Sequence, residues 1–138
     1  MGTPMDTDEK RFDSITERII GCAFKVGSLL GCGYLEKCYE NALAHELRKA
    51  GLGVQQQVAL KVWYDGIVVG EYVADLIVEG VILVELKAIK ALDPIHHAQC
   101  INYLAATKLP ICLLINFSKR VEVKRIAGPT LASGAVSF

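Results

Sequence analysis

The sequence predicts a mixed α/β (α+β) fold in which helices cover the faces of a central sheet, in the order ααβββαββ. Apolar residues recur at helical spacing over roughly the first 50 residues. From Val54 onward the chain is instead rich in valine, isoleucine and aromatic residues, which is typical of strands. A further helix separates the third predicted strand from the fourth, and such a crossover implies that the sheet is mixed.

The first two helices are predicted from their start and stop signals. Ser14 and Glu17 form a capping box, so the first helix is expected to begin there and residues 1–12 to form a disordered tail. The apolar stripe of this helix ends at the glycine-rich segment 31–33. The second helix is expected over residues 34–50, because glycines then provide stop signals.

The central strands are predicted from their β-branched residues and from the turns between them. The turn pairs Asp65-Gly66 and Glu79-Gly80 divide this region into a meander of three strands. These strands are expected over residues 55–64, 67–78 and 81–87.

The last part of the domain is predicted as a helix followed by two strands. Asp93 and Pro94 provide an N-cap and a first-turn proline for a helix that reaches Thr107. The following strands are expected over residues 111–117, fully buried, and 121–126. The predicted single domain therefore spans residues 13–126, and residues 127–138 are expected to form a loose tail.

The composition restricts the class of protein. At 138 residues, the chain is long enough for one domain with its own core. Five cysteines without C-x-x-C spacing argue against a disulfide framework and against a zinc or iron–sulfur site. No apolar run approaches the ~18 residues of a membrane span and no signal peptide is evident, so we expect a cytoplasmic protein that does not enter membranes. The 15 basic and 15 acidic residues cancel, so nucleic-acid binding would depend on a local patch.

The segment "VELKAIK" (84–90) places charged residues at the end of a strand that is otherwise apolar. Strand alternation points Glu85 and Lys87 to one face, and Asp75 lies among apolar residues of the preceding strand. A two-residue turn between these strands would put Asp75 and Glu85 on opposite faces, whereas a three-residue loop or a bulge would make them direct neighbours. A functional site requires the second register.

Two neighbouring carboxylates on buried strands need a positive partner, because desolvation costs several kcal/mol per ion. Lys87 could supply that charge in a structural ion pair. A divalent cation such as Mg²⁺ is the alternative, because it binds one or two carboxylates, keeps several waters and binds substrate phosphate. Lys87 would then orient the attacking water or stabilise charge at phosphorus. The residues alone leave both interpretations open.

Polar residues on two helices are candidates for the same site. Gln99 and Tyr103 are four residues apart, so they lie on one face of the third helix. Glu36 falls in the first turn of the second helix, where the helix dipole stabilises a carboxylate. An exposed helix face and simple helix capping are the competing explanations for these residues.

Together these motifs resemble those of the GxxExxY proteins, a branch of the PD-(D/E)XK nuclease superfamily. The last motif is also similar to that of phage lambda exonuclease and RecB-type nuclease domains. Ala74 departs from the pattern, because the superfamily name would place proline there. The motifs that carry the resemblance are Gly33-x-x-Glu36-x-x-Tyr39, Asp75, Glu85-x-Lys87 and Gln99-x-x-x-Tyr103.

The resemblance implies a restriction-endonuclease-like core and a metal-dependent nuclease that hydrolyses phosphodiester bonds, with DNA as the expected partner and Mg²⁺ or Mn²⁺ as the cofactor. The implied metal ligands are Asp75, Glu85 and the main-chain carbonyl of Leu86. The implied catalytic residues are Lys87, the acidic partner Glu36, and the helix pair Gln99 and Tyr103.

Two other functions remain open on the sequence. One is a non-catalytic scaffold that binds nucleic acid or protein, and the other is a small-molecule phosphoesterase that uses the same metal site. The intact Asp75, Glu85 and Lys87 favour catalysis, whereas the charge balance favours a binding role or a nonstandard substrate. The apolar content of 52% also predicts a homodimer, because large exposed apolar patches are uncommon on monomers.

Overall fold

The protein forms helices and one five-stranded sheet over the residues that a computed structural model describes, 7–129. Residues 1–6 and 130–138, which belong to the predicted tails, lie outside this range. The helices are α1 (Thr7–Leu30), α2 (Glu36–Lys49) and α3 (Pro94–Thr107). The strands are β1 (Val54–Tyr64), β2 (Ile67–Val78), β3 (Ile82–Lys87), β4 (Ile111–Phe117) and β5 (Val121–Ala127). None of these helices is both long and apolar enough to cross a membrane.

The first helix begins earlier than the capping box predicts. It starts at Thr7, so Ser14 and Glu17 lie inside the helix, and residues 7–12 are helical rather than disordered. Carboxylates in the first turn interact favourably with the helix dipole. The side chain of Phe12 also packs against the core. The polar composition of residues 1–12 does not indicate this contact.

The sheet is mixed, as the crossover predicts. The strands lie in the order β1-β2-β3-β4-β5; β3 and β4 are parallel, and the other neighbours are antiparallel. Helix α3 connects the two parallel strands. The order ααβββαββ is confirmed, and Ala127, predicted as tail, is the last residue of β5.

Two apolar cores lie on opposite faces of the sheet. One face packs against α1 and α2 through residues such as Leu76 and Val84. The other packs against α3 through residues such as Leu83 and Cys112. Strand β4 is buried along its whole length, as its unbroken apolar run predicts. The charged end of β3 is therefore held by a rigid scaffold.

The connection between β2 and β3 sets the relative position of their charged residues. Leu76 pairs with Val84 and Val78 pairs with Ile82, so residues 79–81 form a three-residue loop. This is the register that a functional site requires.

Close to Asp75, the side chains of β1 and β2 switch from one face of the sheet to the other. Val54 packs against the α1–α2 core and Val58 against the α3 core, although residues four apart in a regular strand share a face. Between them, Gln57 has a φ of 52°, and the β1–β2 pairing passes through Gln56 and Val58 without it. The irregularity lies opposite Asp75.

Candidate active site

Asp75 and Glu85 meet where the regular pairing of β2 and β3 ends. The last backbone pair is Leu76 with Val84. Beyond this pair, Asp75 Oδ2 accepts the Leu86 N–H at 2.8 Å, and the Asp75 N–H donates to Glu85 Oε1 at 3.4 Å. The two acidic residues are therefore adjacent.

Burial and mutual repulsion raise the pKa values of both carboxyl groups. Glu85 is only 9% exposed, and burial, followed by the charge of Asp75, raises its pKa to about 8. Burial also raises the pKa of Asp75, and the hydrogen bond from the Leu86 N–H partly opposes that rise. Raised pKa values mean that the surroundings supply too little positive charge for two ionised carboxylates.

Lys87 lies on β3 two residues after Glu85. Its charge opposes the rise in pKa that burial causes at Glu85 and Asp75, so it acts on both carboxyl groups. It forms no salt bridge with a carboxylate anywhere in residues 7–129. A structural ion pair therefore does not account for the acidic pair, and the Lys87 ammonium group can interact with a ligand.

Helix α2 contributes two more carboxylates. Glu36 begins the helix, and although it keeps contact with solvent, partial burial followed by the charge of Asp75 raises its pKa. Glu40 lies one turn further along the same face and is 3% exposed. Sequence reasoning missed Glu40. Its spacing of four from Glu36, beside the buried Tyr39, is the signal that could have indicated it.

Gln57 connects Glu40 to Asp75. Its Nε2 donates to Glu40 Oε1 at 2.5 Å and to Asp75 Oδ1 at 3.4 Å. The other oxygen of Glu40 accepts hydrogen bonds from Gln56 Nε2 at 2.7 Å and Lys37 Nζ at 2.9 Å. Both carboxylate oxygens of Glu40 thus accept hydrogen bonds. Through Gln57 the network contacts Asp75 Oδ1, whereas the Leu86 N–H binds Oδ2.

Helix α3 brings an aromatic residue, but not its predicted polar partner, into contact with the sheet beside Glu85. Tyr103 stacks on Tyr72 of β2 with ring centroids 3.5 Å apart. Burial, followed by the charge of Glu85, raises the pKa of both phenols. The Tyr72 hydroxyl is buried and has no hydrogen-bond partner among the described residues. Gln99 is exposed, and no hydrogen bond joins its side chain to the described part of the chain.

Tyr39 anchors the loop that precedes α2. Its hydroxyl donates to the Gly31 carbonyl at 2.6 Å and accepts the Tyr34 N–H at 3.3 Å. Its ring, which is fully buried, stacks on Phe117 at 4.6 Å. The tyrosine therefore acts through the loop, by fixing the point at which Glu36 and α2 begin.

The donor set fits a hard divalent cation. Mg²⁺ typically takes one or two carboxylates and completes its shell with water, and Asp75 and Glu85 provide that number beside each other. Burial, followed by the charge of Asp75, raises the pKa of Glu85, and burial raises that of Asp75, so a bound cation would stabilise the ionised form of both carboxyl groups. Over residues 7–129, no group of three or more His, Cys, Asp and Glu side chains has the geometry of a metal site. The Leu86 carbonyl as a third ligand stays a prediction.

This sheet, with its flanking helices, defines a restriction-endonuclease-like fold. A family model of the PD-(D/E)XK nuclease superfamily matches residues 13–126, and the chain belongs to that superfamily. The superfamily resemblance is therefore confirmed, and the GxxExxY branch stays a prediction.

One solved structure is similar to this chain. The crystal structure of SSO0001 superposes with a TM-score of 0.53 and 22% sequence identity, over 86% of this chain and 60% of that chain. The present chain thus spans less than two thirds of SSO0001, and the likeness shows the fold alone. No curated protein matches the sequence.

Proposed function

We propose that the protein is a metal-dependent nuclease that hydrolyses phosphodiester bonds in DNA. The observation that carries this proposal is the contact between Asp75 and Glu85, with Lys87 unpaired on the same strand, in a chain of a nuclease superfamily. Two carboxylates in need of a cation and a nearby ammonium group are the components that metal-assisted phosphodiester hydrolysis requires.

Asp75, Glu85 and the Leu86 carbonyl would hold Mg²⁺ or Mn²⁺. When bound, the ion supplies Lewis-acid activation of the phosphate and of water. The protein holds Asp75 for this purpose from two sides, through the Leu86 N–H and through Gln57. Glu40 acts as a positioning residue, because it fixes Gln57 at 2.5 Å.

The remaining polar groups act on the substrate. Lys87 donates hydrogen bonds to the attacking water or to a phosphate oxygen, and so stabilises the negative charge that develops during attack. Glu36, whose pKa depends on burial and on the charges of Asp75 and Lys87, accepts a hydrogen bond from the same water. Gln99 and Tyr103 complete the phosphate contacts from α3, and Gln99 must reach the substrate from an exposed position.

A second candidate is a non-catalytic protein that binds nucleic acid or protein, and the balanced net charge favours it. A small-molecule phosphoesterase would use the same acidic pair and lysine on another substrate. The three candidates differ in what the purified protein cleaves.

The test is cleavage of end-labelled single-stranded and duplex oligonucleotides with Mg²⁺ or Mn²⁺. Lys87→Ala should lower the cleavage rate about 10²- to 10³-fold, because it removes an electrostatic stabiliser, while Mn²⁺ binding measured by calorimetry persists. The matched control is Lys10→Ala, an exposed lysine at the start of α1, which should keep the parent rate.

Equal cleavage by Lys87→Ala and the parent protein would contradict the proposed role of this lysine. A parent protein that cleaves no oligonucleotide supports the binding candidate. Hydrolysis of small phosphate esters alone supports the phosphoesterase.

A further inference from the structure

A groove opens beside the proposed active site, between the α1–α2 loop, the segment after β3 and the end of β4. Its volume is about 430 Å³, which is within the range of small-ligand pockets. We call it the lysine groove. The residues that define it include Cys32, Ala88, Ile89, Lys90, Phe117 and Lys119. Ala88, which lines it, directly follows Lys87 in the chain, so the groove lies close to the proposed site of cleavage.

The groove is locally positive in a chain without net charge. Lys90 and Lys119 both line it, and both are solvent-exposed. Neither forms a salt bridge with a described residue. No acidic side chain of residues 7–129 lines the groove. The two ammonium groups are therefore available to an anionic ligand.

The walls of the groove are fixed by a buried asparagine. Asn116, at the end of β4, is fully buried. Its Oδ1 accepts the Ile89 N–H at 3.0 Å, and its Nδ2 donates to the Ile89 carbonyl at 2.9 Å. These two hydrogen bonds between the Asn116 side chain and the Ile89 backbone hold the segment after β3 against β4. The backbone between Lys87 and Lys90 is thereby fixed before any ligand binds.

The floor of the groove is apolar. Ala88, Ile89 and Phe117 contribute to it, and the stacking of Phe117 on Tyr39 fixes the aromatic ring. Cationic groups above an apolar floor match a nucleotide, whose phosphate is anionic and whose base and sugar present apolar faces. A paired base is held inside its duplex, so the matching occupant is an unpaired nucleotide.

We propose that the lysine groove binds the unpaired nucleotide next to the scissile phosphate, with Lys90 and Lys119 on phosphate oxygens and the base and sugar on the apolar floor. This proposal rests on the proposed function and adds a substrate class, DNA with a single-stranded segment at the site.

The first test uses the chain's own thiols. Cys32 lines the groove, whereas Cys38 lies two residues after Glu36, on the opposite side of α2, and both thiols are exposed. Iodoacetamide alkylation of each cysteine is followed by mass spectrometry in Lys87→Ala protein with Mg²⁺, in which cleavage of the oligonucleotide should be slow. A saturating single-stranded oligonucleotide should slow alkylation of Cys32 several-fold and leave Cys38 unchanged. A blunt duplex should protect Cys32 much less. Unchanged Cys32 alkylation, or equal protection by the duplex, would overturn the proposal.

The second test measures charge contacts. The double change Lys90→Gln, Lys119→Gln should weaken binding of a single-stranded oligonucleotide and reduce the slope of log affinity against log salt by about 1.4, because each phosphate contact contributes about 0.7. The matched control is Lys10→Gln, Lys61→Gln, which removes two exposed lysines outside the groove. The same slope for both double variants would overturn the proposal.

The two proposals fail in different ways. If the parent protein cleaves oligonucleotides but both groove tests are negative, the groove proposal is wrong and the nuclease proposal stands. If the parent protein neither binds nor cleaves oligonucleotides, both are wrong.

Discussion

Glu85 is the residue at which folding and metal binding have opposite requirements. Its side chain is 9% exposed, and burial together with the charge of Asp75 raises its pKa from 4.5 to about 8. Folding without metal therefore favours the protonated form, whereas a metal ligand must be ionised.

The stability of the metal-free protein should consequently fall as pH rises between about 4.5 and 8. In this window the unfolded chain has already released the Glu85 proton and the folded protein still holds it, so the free energy of unfolding decreases with pH. Glu85→Gln cannot ionise and should remove this contribution, which makes the variant more stable than the parent near pH 8. Thermal unfolding in EDTA, at a series of pH values, measures the difference.

The exposed Glu71 provides the control, since Glu71→Gln removes a carboxylate of β2 that lies outside the site. Identical pH profiles for Glu85→Gln and the parent protein would show that Glu85 is not the titrating group.

At the scale of secondary structure, the irregularity of β1 at Gln57 lies opposite Asp75 and helps to position the Asp75 carboxylate. Gln57 has a φ of 52°, and its side chain bridges Glu40 and Asp75. A left-handed conformation costs a non-glycine residue roughly 1–2 kcal/mol, so the surrounding contacts must maintain it. The strain lies beside the candidate metal site, where it contributes to positioning.

Gln57→Val should therefore destabilise the protein more than Gln57→Gly does. Both changes remove the amide that binds Glu40, but glycine accepts a positive φ, whereas a β-branched residue does so only as an outlier. We expect a difference of about 1–2 kcal/mol in the free energy of unfolding, measured by urea denaturation. Equal stabilities for the two variants would mean that the backbone at this position is not left-handed.

The main elements and the central pair of the site could be predicted because they follow from local rules. Turn residues and β-branched runs predict the strands, and alternation together with loop length restricts Asp75 and Glu85 to two arrangements. The choice between these arrangements required the functional argument, and the pairing of Leu76 with Val84 confirms it.

Other parts of the site could not be predicted, because they depend on tertiary contacts. The positive φ of Gln57 breaks the alternation on which the strand analysis relies. Glu40 is recognisable as a buried acceptor only when Gln56 and Gln57 approach from β1. In the sequence, Asn116 is a single polar residue in an apolar strand, and nothing there predicts its two hydrogen bonds to the Ile89 backbone.

At the scale of the whole molecule, the β1–β2 hairpin leaves apolar side chains uncovered. Large apolar side chains on its outer half are 42–70% exposed. Strand β1 is also an edge of the sheet, so its outer backbone groups have no neighbouring strand within residues 7–129. The exposed hairpin residues are Trp63, Tyr64, Ile67, Val68, Val69 and Val73.

A second copy of the chain would cover the exposed apolar side chains and pair the open edge of β1, because two edge strands can meet across a two-fold axis. We therefore expect light scattering to show a dimer of about 30 kDa, twice the 15.0 kDa of the chain. Val69→Lys, Val73→Lys should yield monomers, whereas Leu29→Lys, which alters an exposed apolar residue on α1, should not. A parent mass near 15.0 kDa would contradict this prediction.

The proposed function requires Asp75 and Glu85 to form a divalent metal site beside Lys87. Anomalous diffraction from crystals soaked in Mn²⁺ tests it most directly, because the signal locates the ion independently of activity. We expect one strong peak about 2.0–2.3 Å from a carboxylate oxygen of each residue, and no peak at this position in Asp75→Ala crystals. An empty acidic pair in soaked crystals of the parent protein, or Mn²⁺ bound only elsewhere, would contradict the proposed site.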